Sequence, residues 1–156
     1  SCLQWKADNV ECLNNYAYYM SEENRELQRA EQMSYKTIKA EPNNGTYLDT
    51  YAWILFMEER YADAKTYIDQ ALKNRDSTAD NSTVLEHAGD IYYMNGIADE
   101  SVDFWKKAYT GENQTEVLAW KIKNRQYITE EELKKRNAPK QKPAATKKSV
   151  RKGKKK

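Results

Sequence analysis

A short phrase recurs at near-constant spacing along this chain. Leu13-Asn14-Asn15-Tyr16-Ala17-Tyr18 returns as Leu48-Asp49-Thr50-Tyr51-Ala52-Trp53, and more loosely as Leu85-Glu86-His87-Ala88-Gly89-Asp90. Its small residues, Ala17, Ala52 and Gly89, stand 35 and then 37 positions apart. A period in that range is the signature of stacked helical pairs, because one pair cannot bury its apolar face alone and leans on the next. Such arrays present surfaces rather than reaction chambers. The repeat predicts an all-α chain of antiparallel helix pairs that serves as an interaction module.

Each pair needs small residues where two backbones approach, with bulky side chains filling the space around them. Ala17 with Ala30, Ala52 with Ala64, and Gly89 with Ser101 supply these, 13, 12 and 12 positions apart. The longer first spacing implies one extra residue in the turn at Ser21–Asn24. A small-then-apolar couple recurs further on, at Thr37-Ile38, Ala71-Leu72 and Ala108-Tyr109. Cys2-Leu3 fits the same slot, so residues 1–9 read as the end of a preceding second helix, and the chain as the C-terminal portion of a longer array. Pro42-Asn43-Asn44-Gly45 stops one helix and opens the next, and Asn95-Gly96 marks a turn. Thr83 with Glu86, and Thr129 with Glu132, have capping-box spacing. Together these signals predict helices over 10–21, 25–40, 45–57, 61–74, 82–94 and 98–110. A capping helix is expected over 116–125, with Leu118 and Ile122 on one face and Lys121, Lys123 and Arg125 elsewhere. A short helix follows from 129 to 136.

Charge divides the chain. Residues 134–156 hold 12 of the 26 Lys and Arg and no acid, whereas residues 1–133 hold all 24 Asp and Glu against 14 bases, a net of −10. Residues 137–156, rich in Lys with Pro139 and Pro143 and almost nothing to bury, read as a disordered tail. Such a tail can bind nucleic acid or an anionic surface by counterion release, although no aromatic residue interleaves it for base stacking. It can also lie in cis against the acidic body. Cys2 and Cys12 are too few for a disulfide framework and are expected to pack as thiols, although their positions around the Ala7–Val10 turn permit one bridge. No apolar run approaches the ~20 residues of a membrane span. No signal-peptide pattern is seen, and cytoplasmic and periplasmic or cell-envelope locations stay equally open.

At these repeated residues the chain resembles the tetratricopeptide repeat (TPR) family. Leu48, Tyr51, Ala52, Leu55, Ala64, Ile68 and Ala71 match the family's pattern in a second repeat, and Leu85, Gly89, Tyr92, Ser101, Trp105 and Ala108 match it in a third. In a first repeat Leu13, Tyr16, Ala17, Ala30 and Pro42 fit, while Ser34 stands where the family usually has an aromatic residue. The match covers about residues 10–110, and its wording is similar to the closing repeats of larger bacterial members. The resemblance implies a right-handed superhelix with repeats at 10–44, 45–81 and 82–114 and capping helices at 115–136. It also implies an apolar N-terminal end, around Leu3 and Trp5, that continues into further repeats or self-associates.

In that family the first helices of successive repeats line a concave groove. The corresponding slots here hold Asn14, Tyr18, Asp49, Trp53, Phe56, Glu86, Asp90 and Tyr93. Carboxylates accept from Arg in a bidentate manner, and ring faces attract cations and apolar side chains. The expected function is a non-enzymatic scaffold that binds an extended basic and apolar peptide segment. The family variant that grips C-terminal carboxylates does not fit, because Asp49, Glu86 and Asp90 would repel one. The alternatives are binding of nucleic acid or an anionic surface through the tail, and an assembly module. No cofactor, metal or catalytic residue is expected. His87 is the only histidine, expected at the surface or between helices, and nothing in the sequence converges on it as a base.

Overall fold

The structure, a computed structural model, describes residues 9–76 and 79–139. Among these residues the chain is all-α, with eight helices in sequence. They are α1 (Val10–Glu22), α2 (Leu27–Ala40), α3 (Gly45–Met57), α4 (Tyr61–Lys73), α5 (Ser82–Met94), α6 (Ala98–Ala108), α7 (Glu116–Asn124) and α8 (Glu130–Asn137). One 3-10 turn, Gly111–Asn113, precedes α7. α1 packs on α2, α3 on α4 and α5 on α6 as sequential antiparallel pairs. Neighbouring pairs join through α2 on α3 and α4 on α5, and the first helices of the pairs meet one another, α1 on α3 and α3 on α5.

The middle of the array carries most of the core. Nearly every side chain of α3 from Tyr47 to Phe56 is buried, with Asp49 the exception. A helix that is apolar all round needs neighbours all round, and α3 has them in α1, α2, α4 and α5. Ala17, Ala30, Ala52, Ala64 and Ser101 are sealed from solvent, as close-packed helix crossings require. Gly89 is the tightest of these points. A Cβ there would stand 2.3 Å from Trp105 Cδ1, 2.4 Å from Trp105 Nε1 and 3.0 Å from the Ser101 carbonyl oxygen. Trp105 cannot step aside, because it is fully buried and its Nε1 donates to Asp90.

The turns within the pairs bear out the spacing argument. The turn at 23–26 is one residue longer than those at 58–60 and 95–97. It contains two residues with positive φ, Asn24 (53°) and Glu26 (49°), where the later turns have Glu59 (63°) and Gly96 (81°). Of the two expected capping boxes, one forms. Thr129 accepts from the Glu132 amide while the Glu132 side chain accepts from the Thr129 amide. Thr83 and Glu86 do not pair this way. α5 starts at Ser82, and its N-cap residue Asn81 makes no side-chain cap bond; the amide of Ser82 donates instead to Asp80 Oδ1 at 3.0 Å. The Glu86 carboxylate is engaged by Lys121 and Asn113 instead, so a cation from α7 outcompetes a local cap.

Cys12 is disulfide-bonded rather than a free thiol. The chain's other cysteine, all but Asn9 of the expected helix end at 1–9, and most of the basic tail, 140–156, lie outside the described residues. No helix among the described residues is long and apolar enough to cross a membrane.

Candidate functional site

Glu86 and Asp90 are one turn apart on α5 and so face the same way. α7 starts at Thr115, whose hydroxyl accepts from the Leu118 amide at 3.2 Å, and buried Leu118 seats the helix against α6. That placement carries Lys121 over the two carboxylates. Its Nζ donates to Asp90 Oδ1 at 2.7 Å and to Glu86 Oε2 at 2.9 Å. Trp105 Nε1 donates to the same Asp90 oxygen at 2.9 Å, and Asn113 Nδ2 donates to Glu86 Oε1 at 3.2 Å. The rings of Trp105 and Tyr127 each stand 5.5 Å from the ammonium. Lys121 is only 2% exposed and Asp90 only 4%. Burial works against the ammonium, but the two carboxylates outweigh it and hold the Lys121 pKa above the ordinary lysine value. Burial holds the Asp90 carboxyl above its ordinary pKa, and Lys121 offsets only part of that rise.

The aromatic residues of this region stack among themselves. The Trp53 ring lies against His87, with centroids 4.0 Å apart, and against Phe56 at 4.6 Å. Phe56 in turn meets Tyr61 and Tyr127 edge-on. His87, 6% exposed, donates from Nδ1 to Asp49 Oδ1 at 2.9 Å and so bridges α5 to α3. Burial disfavours a charge on the imidazole. Asp49 first, with Asp90 and Glu86 behind it, overcomes that and raises its pKa above the ordinary value.

The other end of the same helices is open. A pocket of about 570 Å³ lies between α1, the N-terminal ends of α3 and α5, and the loop that follows α4. Asparagines 14, 15, 43, 44, 74 and 81 line it, with Asp49, Asp76, Asp80 and one guanidinium, Arg75. Several of these amides serve the backbone. Asn44 Oδ1 accepts from the Tyr47 amide, Asn74 Nδ2 donates to the Gln70 carbonyl, and Asn81 Nδ2 donates to the carbonyls of Asp76 and Ala79. Asn14 is different. It is only 4% exposed, and its Oδ1 has no hydrogen-bond partner among the described residues. A buried amide oxygen left without a donor costs about 1–3 kcal/mol. Tyr18, one turn along α1, is half-buried; burial, then the nearby Glu22 carboxylate, pushes its pKa up, so its hydroxyl stays neutral.

The eight residues expected along a groove therefore fall into two sets. Asn14, Tyr18 and Asp49 line the open pocket. Trp53, Phe56, Glu86 and Asp90 belong to the closed region, and Tyr93 lies tilted against Trp105 with centroids 5.9 Å apart. His87, expected at the surface or between helices, is between helices and buried. Sequence reasoning did not anticipate Lys121, Asn113 or Tyr127 as partners of the acidic residues. A signal for Lys121 existed: with Leu118 and Ile122 it follows the 0, +3, +4 spacing of a packed stripe, where a lysine implies a buried acid. Among the described residues no group of three or more His, Cys, Asp or Glu could hold a metal ion. No protein-family model matches this chain, and no curated protein matches it.

Proposed function

We propose that this chain is a TPR-type superhelical scaffold, without enzymatic activity, that binds an extended basic and apolar peptide segment. The segment enters at the pocket flanked by α1, α3 and α5. The observation that carries this reading is the pocket itself. Its volume of about 570 Å³ lies within the range of ligand sites, and three carboxylates face one guanidinium in its lining. Stacked helical pairs are well suited to such a role, since each added pair extends one continuous surface. The closed region supports the reading indirectly. Lys121 on Glu86 and Asp90, with flanking rings, is how a cation rests on this surface when the chain supplies it.

Titration of a labelled basic peptide and an acidic peptide of equal length, followed by fluorescence anisotropy, tests the proposal. Binding of the basic peptide is expected to weaken with added salt, because opposite charges at a surface are screened. Preference for the acidic peptide, or no saturable binding by either, overturns it.

A further inference from the structure

α1 and α3 hold equivalent places in successive pairs, 35 positions apart, yet one flank of each is treated differently. On α3 that flank is Tyr47, Thr50, Tyr51 and Ile54, one helical face, and all four are buried. α2 covers it. Ile38 shares a core cluster with Tyr47 and Tyr51, the Tyr35 ring stands 6.0 Å from the Tyr51 ring, and the Tyr51 hydroxyl donates to Glu31 Oε2 at 3.4 Å. One period earlier the same flank is Cys12, Asn15, Tyr16 and Tyr19. Among the described residues no helix precedes α1 to cover it. Those four residues line a pocket of about 410 Å³, and Tyr19 is 51% exposed.

We infer that residues 1–8, which lie outside the described residues, dock on this flank, with Leu3 in the place that Ile38 has on α3 and a Cys2–Cys12 disulfide as the clasp. Three observations name that occupant. Asn9, where the described chain begins, lines the same pocket, so the segment starts at the rim of its seat. Cys12, in the pocket wall, is disulfide-bonded, and Cys2 is the only other cysteine of the chain. The bridge therefore brings residue 2 back onto the wall. The third observation is register. Shifted by 35 positions, Cys2, Leu3 and Cys12 become Thr37, Ile38 and Tyr47. All three of those are buried, and Ile38 and Tyr47 belong to one cluster. A bridge in that register sets Leu3 against Tyr16 as Ile38 joins Tyr51. Covering a ring face with an aliphatic side chain removes apolar area from water, and the closed loop keeps the segment near its seat. The bond also makes the cover sensitive to thiols. Two exchanges with a dithiol leave Cys2 and Cys12 as thiols and the dithiol as its own disulfide, and the flank of α1 loses its clasp.

The test is NMR of the ¹³C,¹⁵N-labelled chain, oxidised and after dithiothreitol. The oxidised chain is expected to show nuclear Overhauser contacts between the Leu3 methyls and the Tyr16 ring, and dithiothreitol should weaken or remove them. Hydrogen exchange at the amides of 13–19 should quicken roughly tenfold or more once the clasp opens. Leu3→Ser, its disulfide shown intact by mass, should quicken the same amides, which separates the seat from the clasp. Absence of the Leu3–Tyr16 contact in the oxidised chain overturns the inference, and so does exchange that neither reduction nor Leu3→Ser alters. The wild-type contact decides the matter even if the variant does not fold. Contacts to Tyr16 that arise between molecules, in a mixture of labelled and unlabelled chains, assign the flank to a second copy and overturn it as well. A disulfide-linked dimer on a non-reducing gel has the same consequence.

Discussion

The two ends of the α1–α3–α5 layer carry the same kinds of residue and use them in opposite ways. At the α5–α7 end, Glu86 and Asp90 have their cation within the chain, Lys121, and rings close over it. At the α1–α3 end, acids and amides surround about 570 Å³ of space, and Asn14 lacks a donor. The difference shows that an acidic residue in a slot expected to face a groove is not yet a ligand group. What decides its role is whether a later helix brings a cation within reach. The same carboxylate chemistry is closed over by a lysine and rings at one end and lines an open pocket at the other.

This contrast can be broken by substitution, and the largest effect is expected at the closed end. Lys121→Met leaves the buried Asp90 and half-buried Glu86 carboxylates without their cation and should cost about 3–5 kcal/mol in denaturant unfolding. A loss below about 1 kcal/mol, the value of a surface pair, would mean that Lys121 does not hold this end together. Gly89→Ala comes next. Overpacking against a pinned indole typically costs about 1–3 kcal/mol, offset by up to ~1 kcal/mol of helix propensity. A net loss is expected, and a gain in melting temperature would show that Trp105 yields.

The Asp49–His87 bond, where the two ends meet, gives a pH-dependent effect of intermediate size. The folded-state pKa of His87 is raised, so its contribution is complete below the ordinary histidine value of about 6.5 and is lost as pH rises through the higher folded value. Glu58 acts in the same sense. Burial, then its neighbour Glu31, pushes its pKa up to about 7, so ionising it at higher pH weakens the fold. Melting temperature should therefore fall as pH is raised from 6 to 9, and Asp49→Asn should flatten part of that slope. A slope unchanged in the variant would assign the whole dependence to Glu58 and other groups. The smallest effect is expected at the open end. Asn14→Leu removes an unpartnered amide and should leave stability unchanged or raise it by about 1 kcal/mol. A clear loss would make the two ends alike.

The fold was legible in particular residues. Ala17, Ala52 and Gly89 recur at the helical-pair period because each lies where two backbones cross, and the extra residue in the first spacing reappears as a longer turn with two left-handed residues. The two capping-box patterns show where such reading stops. Thr129 and Glu132, whose bonds lie exposed at the start of α8, form the box, whereas Glu86 is taken by a lysine that lies 35 positions away in sequence. Trp53 and Phe56 carry the same lesson for ring residues. Their slots matched a groove, but stacking on His87 and contact with Tyr127 buried them. The pocket on the loop after α4 announced itself only as polar, turn-forming sequence.

By itself, the sequence determined the helices, their pairing and the points of closest approach, since these depend on periodicity and side-chain size within some forty residues. Tertiary structure alone decided which acids a lysine covers and which line the pocket. Charge partnership is a matter of distance in space, and a cation placed by one helix cancels an acid on another whatever the local pattern around either.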